Sequence, residues 1–421
     1  MKADRNITAL VLLFLACITL SAQSNKVYWV HGLNGTSDAM TPYREMVADN
    51  QQGEPFSWPL RRSMAYAGFA LDSTIKVNVA PSKSAIVVGY SAGGLVARRA
   101  KWFYGNRIRS IITLGTPHNG APIAAQLQGD GVSDLISRVV NMIVACRTKS
   151  TSAMVTSTGI IDPVSTSIFY GIAQALNFLG SSLFTDLAQR ALEEYSGIAA
   201  QEMVPGSSFL NTLNNSYLSV PIISIYGNED EKRLIRLLGC FKKEGIYNAA
   251  HYPNLPILDE SYIGLYNATV ASTAAVAGFH YVNGVAHELV SFLNPSHLVP
   301  MYANFDAAAA WRDMNRFLEY DIHNEWDEMI GSYHYEQIET HHQFLWWHWT
   351  DVEYVKVYED SDGFIPNKYS HIDSSMGSNV TNIKVEGVNH LEMTAHNTIY
   401  RLLSNAINLS AYGQEFNPNY N

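Results

Sequence analysis

Apolar residues along the chain follow two different rhythms. Short, nearly uninterrupted runs bounded by glycine, proline or polar residues occur at Lys26 to Val30, Ala85 to Val88, Arg109 to Leu114 and Val220 to Tyr226. Runs of this length without alternation read as strands covered on both faces, which is the condition of a parallel sheet. A later run, Asn382 to Val385, reads as the last strand, and Glu353 to Tyr358 as a late strand before it. Between these runs the period lengthens to that of a helix. Val96, Ala100 and Phe103 share one face, with Arg98, Arg99 and Lys101 mostly turned away. Leu135, Val139, Met142 and Ile143 repeat the pattern, as do Trp311, Met314, Leu318, Ile322 and Trp326 within residues 307 to 330. A closing amphipathic helix spans residues 398 to 409. Strand, helix and strand in alternation predict an α/β fold with a mostly parallel, doubly wound sheet.

Two stretches interrupt that alternation. Residues 123 to 215 are helical and apolar beyond the needs of a core, which predicts a lid over an apolar pocket. Residues 229 to 350 form a second cap insertion. The expected division is therefore a leader over 1 to 22, core over 23 to 122, lid over 123 to 215, a core strand over 216 to 228, the cap over 229 to 350 and the last part of the core over 351 to 421. Within the cap, Ser261 to His287 carries no Asp, Glu, Lys or Arg. Its length reaches that of a membrane span, but Asn267, Thr269, Ser272, Thr273 and Asn283 scattered through it predict a buried or interfacial helix pair instead.

Chemistry collects where strands end. Gly89-Tyr90-Ser91-Ala92-Gly93 lies between a buried strand and an amphipathic helix. A sharp turn there lifts the Ser91 hydroxyl clear of the chain at a helix N-terminus, where free N–H groups stabilise negative charge. The first strand runs into His31-Gly32-Leu33-Asn34-Gly35-Thr36, a loop suited to aiming backbone N–H groups at an oxyanion; Leu33 and Ala92 are the expected donors. The third strand ends in Gly115-Thr116-Pro117-His118-Asn119-Gly120.

In combination, HGLNGT, GYSAGG and TLGTPHNG resemble the lipase and esterase branch of the α/β-hydrolase superfamily, including bacterial triacylglycerol lipases and related membrane-anchor deacylases. The three motifs cover about the first third of the chain. The resemblance implies an α/β-hydrolase fold and a serine, acid, histidine order. Asp362 in the loop 359 to 366 and His390 in Gly387-Val388-Asn389-His390 resemble the family's acid and histidine loops. Asp230 and Asp360 remain open as alternatives to Asp362, and His118 is expected to help shape the pocket. The implied activity is hydrolysis of acyl esters of lipids through an acyl-enzyme. Deacylation or acyl transfer on membrane-linked lipids or glycolipids is the alternative, and a silent lipid-binding protein a third reading. No cofactor is expected; a structural calcium, as in some relatives, is not indicated by any motif here.

Composition narrows the picture further. The 421 residues are 47% hydrophobic and 16% charged, with a formal net charge of −10, so there is material for a large core and no basic excess suited to nucleic acid. Lys2 and Arg5, the apolar run Ala9 to Leu20 and the small-residue site ending at Ala22 predict a secretory signal, hence a secreted, periplasmic or cell-envelope protein. Lipid attachment at Cys17 is the alternative, with Phe14 fitting that signal poorly. Cys146 and Cys240 then remain, and spacing leaves their pairing open. His334, His341, His342 and His348 match no zinc spacing and sit among Phe344, Trp346, Trp347 and Trp349, so core or pocket aromatics with satisfied histidines are expected.

Overall fold

The structure is a computed structural model that describes residues 25–157, 197–229, 232–241, 260–377 and 379–420, apart from 34, 36, 60, 61, 345 and 346. The expected leader, Cys17, Asp230 and residues 158 to 196 of the expected lid lie outside the described residues.

Five strands form the central sheet: β1 (Lys26–Val30), β2 (Ala85–Tyr90), β3 (Ile108–Leu114), β4 (Ile222–Asn228) and β7 (Val380–Glu386), hydrogen-bonded in the order β1-β2-β3-β4-β7. Every pair is parallel, with Tyr28 beside Val87, Val88 beside Ile112, Ile112 beside Ile223 and Ile225 beside Ile383. Alternate side chains go to opposite faces, as the pleat requires. Tyr28, Val30, Val87 and Ile111 pack against Leu71 and Ile75 of α1 (Met64–Asn78) and Leu95, Val96 and Ala100 of α2 (Ala92–Tyr104). Val27, Trp29, Ile86 and Ile112 face the other way, onto Ile399, Leu403 and Ile407 of the last helix (Asn397–Ile407). Both faces are covered, which is why these strands read as continuous apolar runs. The α/β-hydrolase fold inferred from the motifs is the fold observed.

The described parts of the inserted segments are mainly helical. α3 (Gly131–Thr156) follows β3, and α4 (Arg233–Phe241) follows β4. α5 (Glu260–Ser291) is one helix of 32 residues, not a helix pair; no helix among the described residues is long and apolar enough to cross a membrane. α6 (Leu298–Arg316) continues through a π turn at Phe317–Asp321 into α7 (Ile322–Ile330). Trp311, Met314, Leu318, Ile322 and Trp326 are all buried along that continuous stretch, as their spacing predicts.

One strand is misplaced by the sequence pattern. Glu353 to Tyr358 belongs to β6 (Trp347–Tyr358), which pairs antiparallel with β5 (Tyr333–Phe344) in a hairpin separate from the sheet. A two-stranded ribbon leaves its faces largely open, whereas the central strands are covered on both. The same hairpin carries the histidine tract, in which His334 and His341 are exposed; the side chains of Phe344, Trp346, Trp347 and Trp349, expected in a core or pocket, lie outside the described residues. His334 Nδ1 meets Glu359 at 2.8 Å and His341 Nδ1 meets Thr350 at 2.8 Å. Residues 343 to 349 have no described side chains. Cys146 and Cys240 are both buried free thiols: Cys146 reaches the Ala310 carbonyl in the cap, and Cys240 reaches Asn389 beside the histidine loop.

Candidate active site

Ser91 occupies the turn between β2 and α2 with φ 52° and ψ −128°, a region that side-chain-bearing residues rarely adopt. Its backbone is held from three sides: Ser91 N donates to the Leu114 carbonyl (2.8 Å), while Gly94 N and the Thr116 hydroxyl donate to the Ser91 carbonyl (3.1 and 2.8 Å). The tightness of the turn accounts for its glycine after Ala92, since a Cβ on Gly93 would stand 2.3 Å from the Val30 carbonyl oxygen. Strand and helix therefore meet over a backbone contact that only glycine permits.

Three residues from distant parts of the chain converge there. Asp362, fully buried, faces His390 with 2.7 Å between Oδ2 and Nδ1. A carboxylate oxygen can only accept, so the imidazole proton sits on Nδ1 and Nε2 is left to accept from the Ser91 hydroxyl at 3.0 Å. The other carboxylate oxygen, Oδ1, accepts from the N–H groups of Phe364 (3.0 Å) and Ile365 (2.7 Å). His390 N donates to the Asp362 carbonyl (2.8 Å), and the Tyr90 hydroxyl donates to the His390 carbonyl (3.1 Å). Both loops are thus tied to each other as well as to the sheet. Asp360, two residues before, is turned to solvent and meets Lys384 Nζ at 3.1 Å.

The loop after β1 brings Leu33 to the same strand ends. Among the described residues, neither the Leu33 nor the Ala92 N–H is taken up by a turn or loop carbonyl. His31 braces this loop: its Nδ1–H donates to the Gly32 carbonyl (2.7 Å) and its Nε2 accepts from Trp58 N (3.2 Å). The Trp58 indole stacks on the imidazole at 5.7 Å and donates to the His31 carbonyl. Burial lowers the basicity of His31, which keeps it in this neutral form.

His118 does not line the site. It is fully buried beneath α2, where Arg98 donates to its Nδ1 (3.3 Å) and its Nε2 meets the Thr113 hydroxyl (3.0 Å). Burial first, and the Arg98 charge second, hold its pKa well below the ordinary histidine value. Arg98 also donates to the Leu213 carbonyl and the Asn214 side chain, so the pair fastens the returning helix Ser208–Asn214 to the core. Burial pulls Arg98 itself down to about 10.

Several supporting residues carry no motif of their own. Asn389 caps the turn after His390, accepting at Oδ1 from Leu391 N (3.0 Å) and Glu392 N (3.1 Å), and its amide meets the Cys240 thiol (3.3 Å). Burial pushes that thiol up to about 12, so it stays protonated. Phe364 packs at 5.7 Å from the His390 ring, and Trp326 of α7 reaches the acid loop from the cap. Only Asn389 had a local signal, being next to the histidine. Trp58 had none, and the spacing of Trp326 placed it on a buried helix face but not at the acid loop. Among the described residues no group of three His, Cys, Asp or Glu side chains is placed to hold a metal ion.

Comparison with known proteins adds to this geometry. Residues 65–177 match the family model described as a PGAP1-like alpha/beta domain. No curated protein matches the sequence. Similar solved structures include the mature form of a lipase from Bacillus licheniformis, at 13% identity, 91% coverage of each chain and a TM-score of 0.39. A lipase-esterase related protein from Clostridium acetobutylicum shares 13% identity, with 49% of this chain and 76% of that one covered and a TM-score of 0.27. A Legionella pneumophila phospholipase, solved in complex with thio-NAD, shares 11% identity, with 78% of this chain and 67% of that one covered and a TM-score of 0.32. The parallel sheet and the strained serine turn are those of an α/β-hydrolase fold, and the stretch that carries Ser91 is similar to the PGAP1-like alpha/beta domain.

Proposed function

We propose that this protein is a serine carboxylic ester hydrolase of lipase type, cleaving acyl esters of lipids through an acyl-enzyme formed on Ser91. The observation that carries this reading is the unbroken hydrogen-bonded line from Asp362 Oδ2 through both nitrogens of His390 to Ser91 Oγ. In the first step Ser91 Oγ bonds to the acyl carbon while its proton passes to His390 Nε2. The N–H groups of Leu33 and Ala92 receive the resulting oxyanion. Collapse of the tetrahedral intermediate breaks the ester bond, and His390 returns the proton to the departing alcohol. Water, deprotonated by the same imidazole, then attacks the acyl-enzyme and frees the acid and Ser91. Asp362 keeps the imidazole in the tautomer that can accept from serine and stabilises the cation formed in both steps.

The match to the PGAP1-like alpha/beta domain model fits a second reading equally, in which the ester belongs to a membrane-linked lipid or glycolipid. In either case the segment 1 to 22 is proposed to send the chain out of the cytoplasm, where such substrates are met. Initial rates on a soluble short-chain ester and on a long-chain ester below and above its solubility limit, with Ser91→Ala as control, test the proposal. A rate that rises when the insoluble phase appears and is lost in the variant supports the lipase reading. Turnover of soluble esters alone favours the second reading, and an active Ser91→Ala protein contradicts both.

A further inference from the structure

The turn that carries Asp362 fastens its carbonyl groups one by one. The Ser361 carbonyl accepts from Glu229 N (2.7 Å), the Asp362 carbonyl from His390 N (2.8 Å) and the Ile365 carbonyl from Asp362 N (3.2 Å). The Gly363 carbonyl is taken by the cap: it accepts from the indole Nε1 of Trp326 at 2.8 Å. Trp326 is 2% exposed on α7, and its ring meets that of Phe364 edge to face at 5.8 Å.

The Gly363 carbonyl and the Phe364 N–H belong to one planar peptide unit and rotate only together. That N–H is one of the two donors to Asp362 Oδ1. A single rigid plane is therefore held at its oxygen by the cap and at its nitrogen by the carboxylate whose second oxygen faces His390. Removing the indole donor frees the plane to turn, and turning it withdraws a donor from Oδ1. A second tie runs from the neighbouring residue on the same helix. Asp327 pairs with Arg233 (3.0 Å), Arg233 Nε donates to the Glu229 carbonyl (2.8 Å), and Glu229 N is the group that holds Ser361.

We propose that Trp326 is a positioning residue for Asp362, so that the second insertion is part of the scaffold that aims the catalytic acid and not solely a cover over the substrate. This rests on the reading of Ser91, His390 and Asp362 given above. The sequence of contacts is Trp326 Nε1–H to the Gly363 carbonyl, Phe364 N–H to Asp362 Oδ1, Asp362 Oδ2 to His390 Nδ1, and His390 Nε2 to Ser91 Oγ.

The test is Trp326→Phe in the full chain, made in the native protein and in a D362N background, with kcat and KM measured on a soluble ester. In the native background kcat falls about ten- to hundredfold with KM nearly unchanged, the size expected when a supporting group lets a catalytic geometry drift. In the D362N background the same change adds less than about a twofold loss, since the residue it acts through is already disabled. An unchanged kcat in the native background, or an equal fall in both, overturns the proposal. Should W326F not fold, benzothienylalanine at position 326 keeps the ring shape while replacing the N–H by sulfur, and the same comparison applies. An active S91A protein would defeat the catalytic reading itself, whereas an inert S91A protein with an unimpaired W326F protein would defeat only this inference.

Discussion

Ser91 and His390 meet at 3.0 Å although 299 positions separate them, and their strands are not neighbours. Ser91 follows β2 and His390 follows β7, with β3 and β4 between. His390 must therefore reach across the end of β3, where Gly115 stands at φ +56°. A Cβ on Gly115 would lie 3.0 Å from His390 Nδ1 and 3.3 Å from Asp362 Oδ2. Gly115→Ala is expected to displace the imidazole and to strain the backbone as well. The predicted outcome is a fall in kcat of about a hundredfold, with a stability loss of about 1–3 kcal/mol in urea unfolding.

The two acidic candidates that the structure describes are separated by their surroundings. Asp362→Asn is expected to reduce kcat by about three to four orders of magnitude, because the amide favours the wrong imidazole tautomer. Asp360→Asn removes only an exposed pairing with Lys384 and is expected to leave kcat within about twofold, with a stability change below about 1 kcal/mol. Single-turnover rates on a soluble ester distinguish them.

Ser91 carries backbone strain that a nucleophile in the proposed role requires. Ser91→Gly gives up the proposed nucleophile but suits the left-handed backbone at that position. It is expected to abolish turnover and to raise stability by up to about 1–2 kcal/mol, the strain relieved less the added freedom of the unfolded chain. Ser91→Ala, which keeps a Cβ, should show no such gain. Thermal unfolding of the two variants side by side is the check.

Much of this was legible in the chain. Buried strands announce themselves by unbroken apolar runs, and the loops that follow them carry Ser91, Leu33 and His390 in short patterns with local physical reasons. The hairpin was misread because Glu353 to Tyr358 has strand character, and nothing local says which sheet a strand will join. The position of His118 was illegible for a similar reason. Its partner Arg98 lies on a helix whose face looked solvent-directed, and only the fold shows that the helix Ser208–Asn214 covers it. Trp326 could be placed on the buried face of a helix by its spacing. Its indole N–H meets a glycine 37 positions away, a relation that periodicity cannot carry.

Buried histidines give the fold a pH limit. The pKa of His31 and that of His118 are lowered in the folded state, chiefly by burial, so the unfolded chain binds more protons once pH drops below the ordinary histidine value of about 6.5. Their contribution is fully present above that value and is lost as pH falls, at up to about 1.4 kcal/mol per pH unit for each histidine that stays neutral. Urea unfolding between about pH 8 and about pH 5 should show stability declining through the lower half of that range. His118→Gln should flatten the slope while lowering stability at neutral pH, because the contacts with Arg98 and Thr113 are disturbed.

The central claim is that Ser91 is a nucleophile activated by His390. A fluorophosphonate probe, added to the full-length protein and followed by peptide mass spectrometry, tests it without any assumption about the natural ester. The account predicts a single covalent adduct on Ser91, formed rapidly in the native protein, slowed by orders of magnitude in His390→Ala and absent in Ser91→Ala. A native protein that folds but takes up no label, or one labelled at another residue with Ser91 untouched, would contradict it.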